Sequence, residues 1–527
     1  MGDWVRAADL SELQRRQRLL FRHQGCQIAL FVTDDGLLAC NNRCPHEGYP
    51  LLEGSLDGCL LTCHWHNWKF DLRSGANRFG GDHLRVYPIE IRDGAVWVDL
   101  TEPPLAQQRA EILARLGEAC DDHDYSRIAR ELGRLERLGA DPCEALRDAI
   151  RRSCERLEFG WTHAYAGSAD WLVLYDMTDD PERRLVCLLE SIGHIAWDVL
   201  RESLYPYPET ARPHDEAALV AAIEAEDEAA AIARVRGALA DGLHFPDLER
   251  ALTRAALSHY SDFGHALIYV TKAGRLIERL GPTVERPLLL ALVRSLVHVT
   301  REDQIPEFRG YHAALARWGK ADDDAVPDPS AWRDLGIDAA LEQTVQASRA
   351  RPEALFDTLL AVNAERLLAF DSDWQYRTDR PVSDNVGWLD FTHALTFANA
   401  VRRQCRRFPQ LWPAGLLQMA CFAGRNRPYT LSGPELARWR VADAGAFFRE
   451  RIEALFDHGQ PEYIVSVHQL KTLLAVREAV AESPSASTRE YLLAGLNRFL
   501  HSPLKRKHSL RTVRQARRFV AKNGPGG

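Results

Sequence analysis

The spacing of hydrophobic residues changes along the chain, and residues 1 to about 100 carry the pattern of β-strands. Their apolar runs are short and are separated by turn residues, as in small antiparallel sheets. Residues 27–33 form one such run, a turn with glycine follows, and residues 37–41 form the next run, which together predict a β-hairpin. Two closing strands are predicted at residues 84–91 and 95–100. The first hundred residues therefore predict a small all-β domain.

Beyond residue 125 the apolar residues recur every three to four positions, which is the spacing of amphipathic helices. The pattern starts at Ile128, Leu132, Leu135 and Leu138. Further helices are predicted over residues 216–258 (two helices joined by a turn), 262–280, 287–299, 353–370, 390–406, 445–456 and 462–482. We expect residues 126–500 to form a large all-α domain, so that the whole chain is a multidomain α+β protein.

Two segments flank this helical region. Residues 101–125 begin with a Glu-Pro-Pro sequence and are predicted to connect the two domains. Residues 501–527 form a basic C-terminal tail without an acidic residue between positions 505 and 522. Its basic residues are Lys505, Arg506, Lys507, Arg511, Arg514, Arg517, Arg518 and Lys522. Either a solvated helix or a docking surface for an acidic redox partner explains this composition.

Composition limits the partners of the chain. Its 527 residues suffice for two or three domains, and its net charge of −8 gives no overall attraction to nucleic acid or to an anionic membrane. No apolar run reaches the length of a bilayer span, and the start lacks the apolar core of a signal peptide. We therefore expect a cytoplasmic protein. Nine of the eleven cysteines are scattered without regular spacing and are predicted to be buried thiols.

The remaining two cysteines belong to a compact motif of two cysteine–histidine couples. Cys44 pairs with His46, and Cys63 pairs with His66. Two thiolates and two imidazoles are the ligand set of a [2Fe–2S] cluster in which histidines replace two cysteines on one iron. The same four groups could bind zinc, but zinc fingers use Cys–Cys followed by His–His couples with other spacings. We therefore predict a [2Fe–2S] cluster here.

The sequence Cys44-Pro45-His46, followed by Cys63-His64-Trp65-His66, resembles the Rieske family. The respiratory branch of that family has a further cysteine in each ligand loop, and Tyr49 and Trp65 stand at those positions here. The motif is therefore similar to the ferredoxin and oxygenase branch. The Cys-x-x-His spacing selects His66 as the ligand, which leaves His64 as a bystander.

A cluster of this type transfers single electrons, so the long helical region needs a role of its own. In familiar Rieske oxygenases the cluster supplies electrons to an iron held by two histidines and a carboxylate. The two histidines normally lie close together on one helix, but no His-x3-His or His-x4-His pair occurs in this sequence. The usual catalytic domain is therefore not predicted.

Single histidines instead lie within apolar helical segments of the second region. They are His163, His194, His265, His298, His393 and His468. One such residue is typical of a hydrogen-bonded core histidine, but several buried imidazoles each need a partner, which favours a shared metal ion. Lys471 lies on the same helical face as His468. It either extends to solvent or, if carboxylated by carbon dioxide, becomes an oxygen ligand for iron.

The segments around His265, His393 and His468-x-x-Lys471 together resemble the questin oxidase-like family of helical proteins. This resemblance implies a non-haem iron held by several histidines and a modified lysine, and oxidative opening of anthraquinone-type rings. The implied metal ligands are His163, His194, His265, His393, His468 and Lys471. Tyr269 stands where the family tends to have a second histidine, and we consider Tyr269 and Lys471 the candidate catalytic residues.

Two other interpretations of the helical region stay open. Asp262-x-x-His265 and Asp390-x-x-His393 repeat the acid-x-x-His spacing of di-iron carboxylate bundles, with Glu190, Glu353, Glu365 and Glu462 as candidate further ligands. Alternatively, the region is a metal-free interaction domain attached to a Rieske electron carrier. Measuring dioxygen consumption coupled to product formation distinguishes an enzyme from a carrier.

The sequence thus predicts an oxidoreductase, a non-haem iron oxygenase with a Rieske cluster and Fe(II). It would hydroxylate or cleave a hydrophobic, aromatic or polyketide-like substrate with dioxygen. No Gly-x-Gly-x-x-Gly stretch follows a predicted strand, so electrons from NAD(P)H would arrive through an external ferredoxin or flavin reductase. The sequence leaves open the substrate, mono- or dioxygenation, a homo-oligomeric state, and electron transfer within or between subunits.

Overall fold

A computed structural model of the chain describes residues 3–320, 327–433, 435–482, 484–504 and 508–523. The chain divides into two units, Met1–Asp141 and Pro142–Gly527. The first contains a small set of β-sheets and the second is helical, which confirms the predicted fold class.

The first unit contains ten short strands arranged in three antiparallel sheets. The strands are β1 (Trp4–Asp9), β2 (Arg18–His23), β3 (Cys26–Thr33), β4 (Gly36–Asn41), β5 (Ser55–Asp57), β6 (Leu60–Thr62), β7 (Lys69–Asp71), β8 (Val86–Tyr87), β9 (Ile89–Arg92) and β10 (Ala95–Asp99). The strand orders are β1-β10-β9, β2-β3-β4-β8 and β5-β6-β7. The predicted hairpin is present, because β3 and β4 pair antiparallel up to Thr33 and Gly36.

Strand β3 separates two small hydrophobic cores. Its side chains alternate between faces, and both faces are covered, so Ile28 and Leu30 pack with Val96 while Ala29 and Phe31 pack on the opposite side. The core around Phe31 also contains Cys44, Cys63, Leu51 and Phe70. The hairpin therefore packs against the two cysteines of the motif.

Three helices accompany these strands in the first unit: α1 (Leu10–Arg16), α2 (Leu105–Asp121) and α3 (Tyr125–Arg137). Most of the segment 101–125, for which the sequence predicts a connector, is therefore helix α2. Helix α3 is fixed to the loop before β8 by Asp82, whose carboxylate accepts hydrogen bonds from Arg130 and Arg134. The side chain of Asp82 is only 1% exposed, so these two contacts offset the cost of burying its charge.

The second unit is built from helices and short 3-10 turns. The α-helices are α4 (Cys143–Ser153), α5 (His163–Asp176), α6 (Pro181–Asp198), α7 (Glu216–Glu224), α8 (Glu228–Ala240), α9 (Phe245–Ser258), α10 (His265–Leu280), α11 (Glu285–Val297), α12 (Gly310–Ala316), α13 (Ile337–Gln346), α14 (Pro352–Ala369), α15 (Trp388–Arg407), α16 (Trp412–Asn426), α17 (Leu436–Trp439), α18 (Ala444–Leu455), α19 (Tyr463–Ala481), α20 (Ala486–Leu500) and α21 (Ser509–Asn523).

Two predicted helix boundaries are wrong. Residues 216–258 form three helices instead of two, because Glu226 has a φ of 56° and the Asp227 side chain accepts from the Ala230 N–H and begins α8. The helix predicted from residue 262 begins only at His265, because residues 262–264 form a turn with positive φ values.

Four long helices form a closed ring in the interior of the second unit. Helix α5 packs against α10, α10 against α15, α15 against α19, and α19 against α5. Helices α5, α15 and α19 are buried along most of their length, so their hydrophobic residues do not lie on one face alone. A polar residue on the inner side of this ring is therefore shielded from water.

The basic C-terminal tail is partly helical. The basic tail contains helix α21, in which Arg511 donates to the Gln375 carbonyl oxygen and Arg514 to the Thr378 hydroxyl. Lys505, Arg506 and Lys507 lie outside the described residues.

In the part of the chain that is described, no helix is both long and apolar enough to cross a lipid bilayer.

Candidate functional site

The two cysteine–histidine couples lie in two loops that close in the same way. In each loop the cysteine N–H donates to the carbonyl oxygen five residues later, and the residue four positions later donates back to the cysteine carbonyl oxygen. The bonds are Cys44 N to Tyr49 O (2.9 Å), Gly48 N to Cys44 O (2.8 Å), Cys63 N to Trp68 O (2.8 Å) and Asn67 N to Cys63 O (3.0 Å). Gly48 and Asn67 both have left-handed backbones, with φ of 79° and 62°, which glycine and asparagine tolerate best.

These loops bury the sulfur ligands and leave the imidazoles near the surface. Cys44 and Cys63 are 4% and 1% exposed, and burial raises the pKa of Cys44 to about 11. His46 and His66 lie with ring centroids 4.6 Å apart. The Nδ1 atom of His46 is buried without a hydrogen-bond partner among the described residues. Two adjacent buried thiols and an unpartnered imidazole nitrogen fit a [2Fe–2S] cluster.

The surface beside the two imidazoles is aromatic and open. Trp68 stacks on His46 with ring centroids 4.4 Å apart, while Trp65 is 62% exposed. His64 turns away from the couple, and its Nε2 lies 2.5 Å from the Ser55 hydroxyl. An electron donor or acceptor can therefore approach the histidine side of the cluster site directly.

In the second unit, the ring of helices α5, α10, α15 and α19 brings four histidines together, one from each helix. His163 and His265 are the first residues of α5 and α10, and their Nε2 atoms are 3.0 Å apart. His393 in α15 and His468 in α19 form the second pair, with Nε2 atoms 3.1 Å apart. We call these four residues the histidine cluster.

The two pairs also lie close to each other. The ring centroids of His265 and His393 are 4.4 Å apart, and those of His163 and His468 are 4.9 Å apart. Ligand nitrogens of His163, His393 and His468 all lie within 4.8 Å of one another. The arrangement could therefore hold one metal ion between the rings.

Backbone contacts orient two of these imidazoles. The Nδ1–H of His468 donates to the Ile464 carbonyl oxygen at 2.6 Å, and the Nδ1–H of His265 donates to the Asp262 carbonyl oxygen. Each contact leaves the Nε2 lone pair directed at the other histidines, which is how imidazole ligands are commonly positioned.

Burial keeps the histidine cluster uncharged. It lowers the pKa of all four imidazoles, and that of His265 falls to about 3. The ammonium group of Lys471 lowers the same four pKa values further. Neutral imidazoles are the form that binds metal ions. Without an ion, His163 and His393 would donate Nε2–H to their partners, as core histidines do.

Lys471 lies one helical turn after His468 and is 4% exposed. Burial lowers the pKa of its amine to about 7. The side chain borders a cavity of about 10 Å³, large enough for one water molecule, that Thr271, Thr396 and Lys272 also line. Lys272 differs from Lys471 because it forms an ion pair with the buried carboxylate of Asp170.

Two predicted histidines lie apart from the histidine cluster. His194 in α6 stacks on Tyr463 with ring centroids 5.2 Å apart, and its Nε2 is 3.7 Å from the Asp198 carboxylate. His298 is partly exposed, and its Nε2 lies 2.9 Å from the Glu228 carboxylate. Among the described residues, neither is in the group of His163, His393 and His468 nor, unlike His265, within 3.0 Å of a member of it.

The predicted carboxylate ligands are also engaged elsewhere or exposed. Asp390 accepts from Arg425 at 2.9 Å and caps helix α15 through the Gly387 N–H. Glu190 lies 3.0 Å from His458, Glu365 forms an ion pair with Arg333, and Glu353 and Glu462 are exposed. Among the described residues, the group of nitrogens around the histidine cluster includes no carboxylate oxygen.

A strained turn that the sequence did not predict precedes His265. Asp262, Phe263 and Gly264 have φ values of 42°, 48° and 79° in succession. Gly264 allows the close approach of Phe397, which would lie 2.5 Å from an added Cβ. Left-handed backbones at non-glycine residues cost about 1 kcal/mol or more each and occur often at functional sites. The turn places Asp262 before the helix, although its Oδ2 atom still lies 3.5 Å from Nδ1 of His265.

An open cavity of about 380 Å³ lies beside the histidine cluster. Trp161, Tyr269, Ala266 and Asp262 are among its lining residues. The ring centroid of Tyr269 is 5.5 Å from that of His265. Burial raises the pKa of Tyr269 far above its usual range and also raises that of Asp262. Tyr269 therefore stands between the cavity and the histidines with its proton retained.

Comparisons with known proteins concern the first unit. A family model of the Rieske [2Fe-2S] domain matches residues 3–84. A biphenyl dioxygenase ferredoxin subunit from Pseudomonas sp. (strain KKS102) is 30% identical over 105 residues, which are 19% of this chain and 96% of that protein. A 4beta-methylsterol monooxygenase from Methylococcus capsulatus is 36% identical over 106 residues, 18% of this chain.

The match to the sterol monooxygenase is local, because the chain spans 29% of the length of that protein. Oxidoreductase NdmD from Pseudomonas putida is matched over 20% of its length with 27% identity. Among solved structures, a Sphingomonas yanoikuyae B1 ferredoxin has 22% sequence identity and a TM-score of 0.17, with coverage of 19% of this chain and all of that one.

Proposed function

Because the chain belongs to the Rieske [2Fe–2S] family through residues 3–84, we propose that it is an oxygenase with a second, mononuclear iron in its helical unit. The ligands of that iron are His163, His265, His393, His468 and a carboxylated Lys471. When bound, the cluster and the iron would supply single-electron transfer and activation of dioxygen. The resemblance of the helical segments to the questin oxidase-like family is a second support.

The observation that carries this proposal is the pair of short contacts between Nε2 atoms, 3.0 Å and 3.1 Å long. At least two of the four nitrogens are lone-pair acceptors, because the Nδ1–H groups of His265 and His468 bind carbonyl oxygens. Four neutral imidazoles in an apolar interior are an unusual way to fill a core, whereas a cation between them gives every lone pair a partner. Imidazoles suit iron as well as zinc, copper and nickel, and iron is the one of these that activates dioxygen beside a Rieske cluster in familiar oxygenases.

Lys471 completes the ligand set in this proposal. Its pKa of about 7 leaves part of the amine unprotonated at neutral pH. The free amine attacks the carbon of carbon dioxide, so that an N–C bond forms and Nζ releases one proton. The resulting carbamate carries a negative charge next to four neutral ligands, which favours a divalent cation there. The alternative ligand His194 is less suitable, because its ring stacks on Tyr463.

The substrate would occupy the cavity of about 380 Å³ next to Tyr269. Trp161 and Ala266 supply apolar walls, and Phe159 lies at the rim with 61% exposure. Tyr269 keeps its phenolic proton and can donate it in a hydrogen bond to a substrate oxygen. The proposed substrate is therefore hydrophobic and aromatic or polyketide-like, with hydroxylation or ring cleavage as the reaction. Biphenyl and a methylsterol, which appear in the names of two similar proteins, are also hydrophobic.

Electrons would enter from an external ferredoxin or flavin reductase that uses NAD(P)H. The exposed Trp65 and the imidazole side of the cluster site form a suitable entry surface. Relatives named as ferredoxin components of dioxygenase systems support such a chain of redox partners.

Iron and acid-labile sulfide in anaerobically purified protein test the proposal. We expect three iron atoms and two sulfides per chain, with dioxygen consumption that depends on substrate and reductase. Two irons and two sulfides after iron reconstitution would contradict the proposal and identify an electron carrier. Four irons and two sulfides per chain, with two of the irons in the histidine cluster, would support the di-iron alternative.

A further inference from the structure

A second group of metal-binding side chains lies in the helical unit, apart from the histidine cluster. His259 follows the end of helix α9, Asp303 lies in a short turn, and His312 is in helix α12. The Asp303 Oδ2 atom is 2.8 Å from Nδ1 of His259 and 2.5 Å from Nε2 of His312. The three ligand atoms all lie within 4.8 Å of one another.

Two of the four carboxylate oxygens at this place have no hydrogen-bond partner among the described residues. Asp303 is 4% exposed, and its Oδ1 atom has no hydrogen-bond partner in the described part of the chain. The Oε1 atom of neighbouring Glu224 is also buried without one. A buried carboxylate oxygen without a donor is costly, and a bound cation removes that cost.

Glu224 provides a hydrogen-bond acceptor of the kind that commonly orients a metal-bound histidine. Its Oε2 atom lies 2.9 Å from Nε2 of His259. A hydrogen bond from Nε2–H to this carboxylate fixes the tautomer and turns the Nδ1 lone pair of His259 toward Asp303 and His312. If no cation is bound, His259 must instead carry both protons and donate to both carboxylates, which would make the group an ion pair only.

The backbone around this group is held rigidly by buried polar side chains. The Gln418 amide donates to the His259 carbonyl oxygen at 2.9 Å and to the Tyr311 hydroxyl at 3.0 Å. The Tyr311 hydroxyl in turn donates to the Leu257 carbonyl oxygen at 2.8 Å. These bonds therefore fix the backbone at His259 and the side chain of Tyr311, the residue before His312.

We propose that Nδ1 of His259, Nε2 of His312 and the Asp303 carboxylate bind a first-row divalent cation such as Zn²⁺. Two imidazoles and one carboxylate are a donor set for such ions. The His312 side chain is 54% exposed, so water occupies the remaining coordination positions. This site is independent of the iron proposed for the histidine cluster.

The cation would stabilise one wall of the cavity of about 380 Å³. Ser261 and Arg301 form an isolated β-bridge, and the Asp262 N–H donates to the Thr300 carbonyl oxygen at 3.0 Å. His259 and Asp303 face each other across the two segments, each two residues from the bridge, on the side opposite to Asp262 and Thr300. Asp262 and Thr300 line the cavity, so an ion between His259 and Asp303 holds these cavity residues in register.

Zinc binding tests this site in a variant that lacks the central one. Cluster-loaded His393→Ala/His468→Ala protein is dialysed against Zn²⁺ buffered with a weak chelator, and bound zinc is counted per chain. We expect one zinc ion in this background and at least tenfold weaker binding when His312→Ala is added. Asp303→Asn, which keeps the shape of the side chain, gives the same loss, and a Co²⁺ visible spectrum provides a second measurement.

His244→Ala is the matched control. His244 is also exposed and its Nδ1 lies 2.9 Å from a buried carboxylate, that of Glu285, but it has no place in the group of three. This variant should keep the zinc ion. A background that binds no zinc, or zinc binding unaffected by both His312→Ala and Asp303→Asn, would overturn the proposal and leave an ion pair only. In iron counts, His312→Ala also distinguishes a fourth iron here from a second iron in the histidine cluster.

Discussion

His393 and His468 face each other with their Nε2 atoms 3.1 Å apart, although they belong to different helices, α15 and α19. The Nδ1–H of His468 is bound to the Ile464 carbonyl oxygen, so its Nε2 can only accept. His393 must then either donate a proton or share a cation with His468. Whether a proton or a cation lies between these two Nε2 atoms therefore distinguishes a hydrogen-bonded core from a metal site.

The double variant His393→Ala/His468→Ala should lose the third iron and all turnover and keep the two cluster irons. The reason is that it removes both imidazoles of the second pair and leaves only His163 and His265 of the four. Iron per chain, the visible spectrum of the cluster and dioxygen consumption measure this outcome. His194→Ala is the control, since its ring stacks on Tyr463 outside the histidine cluster. An active double variant, or loss of iron in His194→Ala, would contradict the ligand assignment.

Lys471→Met should abolish a carbamate signal in protein equilibrated with ¹³C-bicarbonate and lower the affinity for the third iron by tenfold or more. Burial brings the pKa of Lys471 to about 7, so its amine can react with carbon dioxide near neutral pH. The measurement is ¹³C NMR with iron counted in parallel. Lys320→Met, at an exposed position, should keep the signal. A carbamate signal that persists in Lys471→Met would rule out this modification site.

Tyr269→Phe should keep all three irons but lower kcat about tenfold, the value of one hydrogen bond of about 1.4 kcal/mol to the reacting substrate. Burial holds the Tyr269 hydroxyl in its protonated form. Steady-state turnover and iron content measure the effect. Tyr165→Phe removes another buried hydroxyl, one that pairs with Ser153, and should leave kcat unchanged. Unchanged kcat in Tyr269→Phe would remove this residue from the mechanism.

His66→Ala should lose the cluster, with iron and sulfide in the first unit falling from two each toward none. His66 supplies one of the two imidazoles, whose rings are 4.6 Å apart. His64→Ala should keep both the cluster and its visible spectrum, because His64 contacts Ser55 instead. A cluster that survives His66→Ala and fails in His64→Ala would reverse the ligand assignment.

Asp82→Asn should destabilise the first unit by about 3 kcal/mol, the usual cost of breaking a buried ion pair. Burial raises the pKa of Asp82, but hydrogen bonds from Arg130 and Arg134 outweigh burial and leave the pKa below its usual value of 3.8. The native state thus favours the ionised form. Its stabilising effect is complete well above pH 3.8 and is lost as pH falls through the lower, native pKa.

Denaturant unfolding of the first unit at a series of pH values measures this effect. The loss of stability between about pH 5 and pH 3 should be smaller in Asp82→Asn than in the unmodified protein, because Asp82 no longer titrates there. Asp93→Asn, at an exposed turn, should change neither the free energy of unfolding nor its pH dependence. An unchanged pH profile in Asp82→Asn would assign the acid sensitivity to other carboxylates.

The cluster site could be predicted from the sequence because its information is local. Cys44, His46, Cys63 and His66 lie in two short loops, and the spacing of such loops fixes which groups converge. The hairpin beneath them was predictable for the same reason, since strand alternation and a glycine turn act over a few residues. Most of the long helices were likewise visible as a repeating apolar pattern.

Local sequence patterns do not determine which histidines meet in the helical unit. Six histidines lie in apolar segments, and the sequence analysis named five of them, all but His298, as candidate ligands. Only the closed ring of α5, α10, α15 and α19 brought four of these five together and left His194 outside. The left-handed turn at residues 262–264 and the group around Asp303 were not visible at all. Backbone strain and contacts between distant segments depend on packing that no short window of sequence contains. The sequence by itself thus determined the fold class and predicted the cluster ligands, whereas the tertiary structure decided which distant imidazoles meet, because helix packing sets those distances.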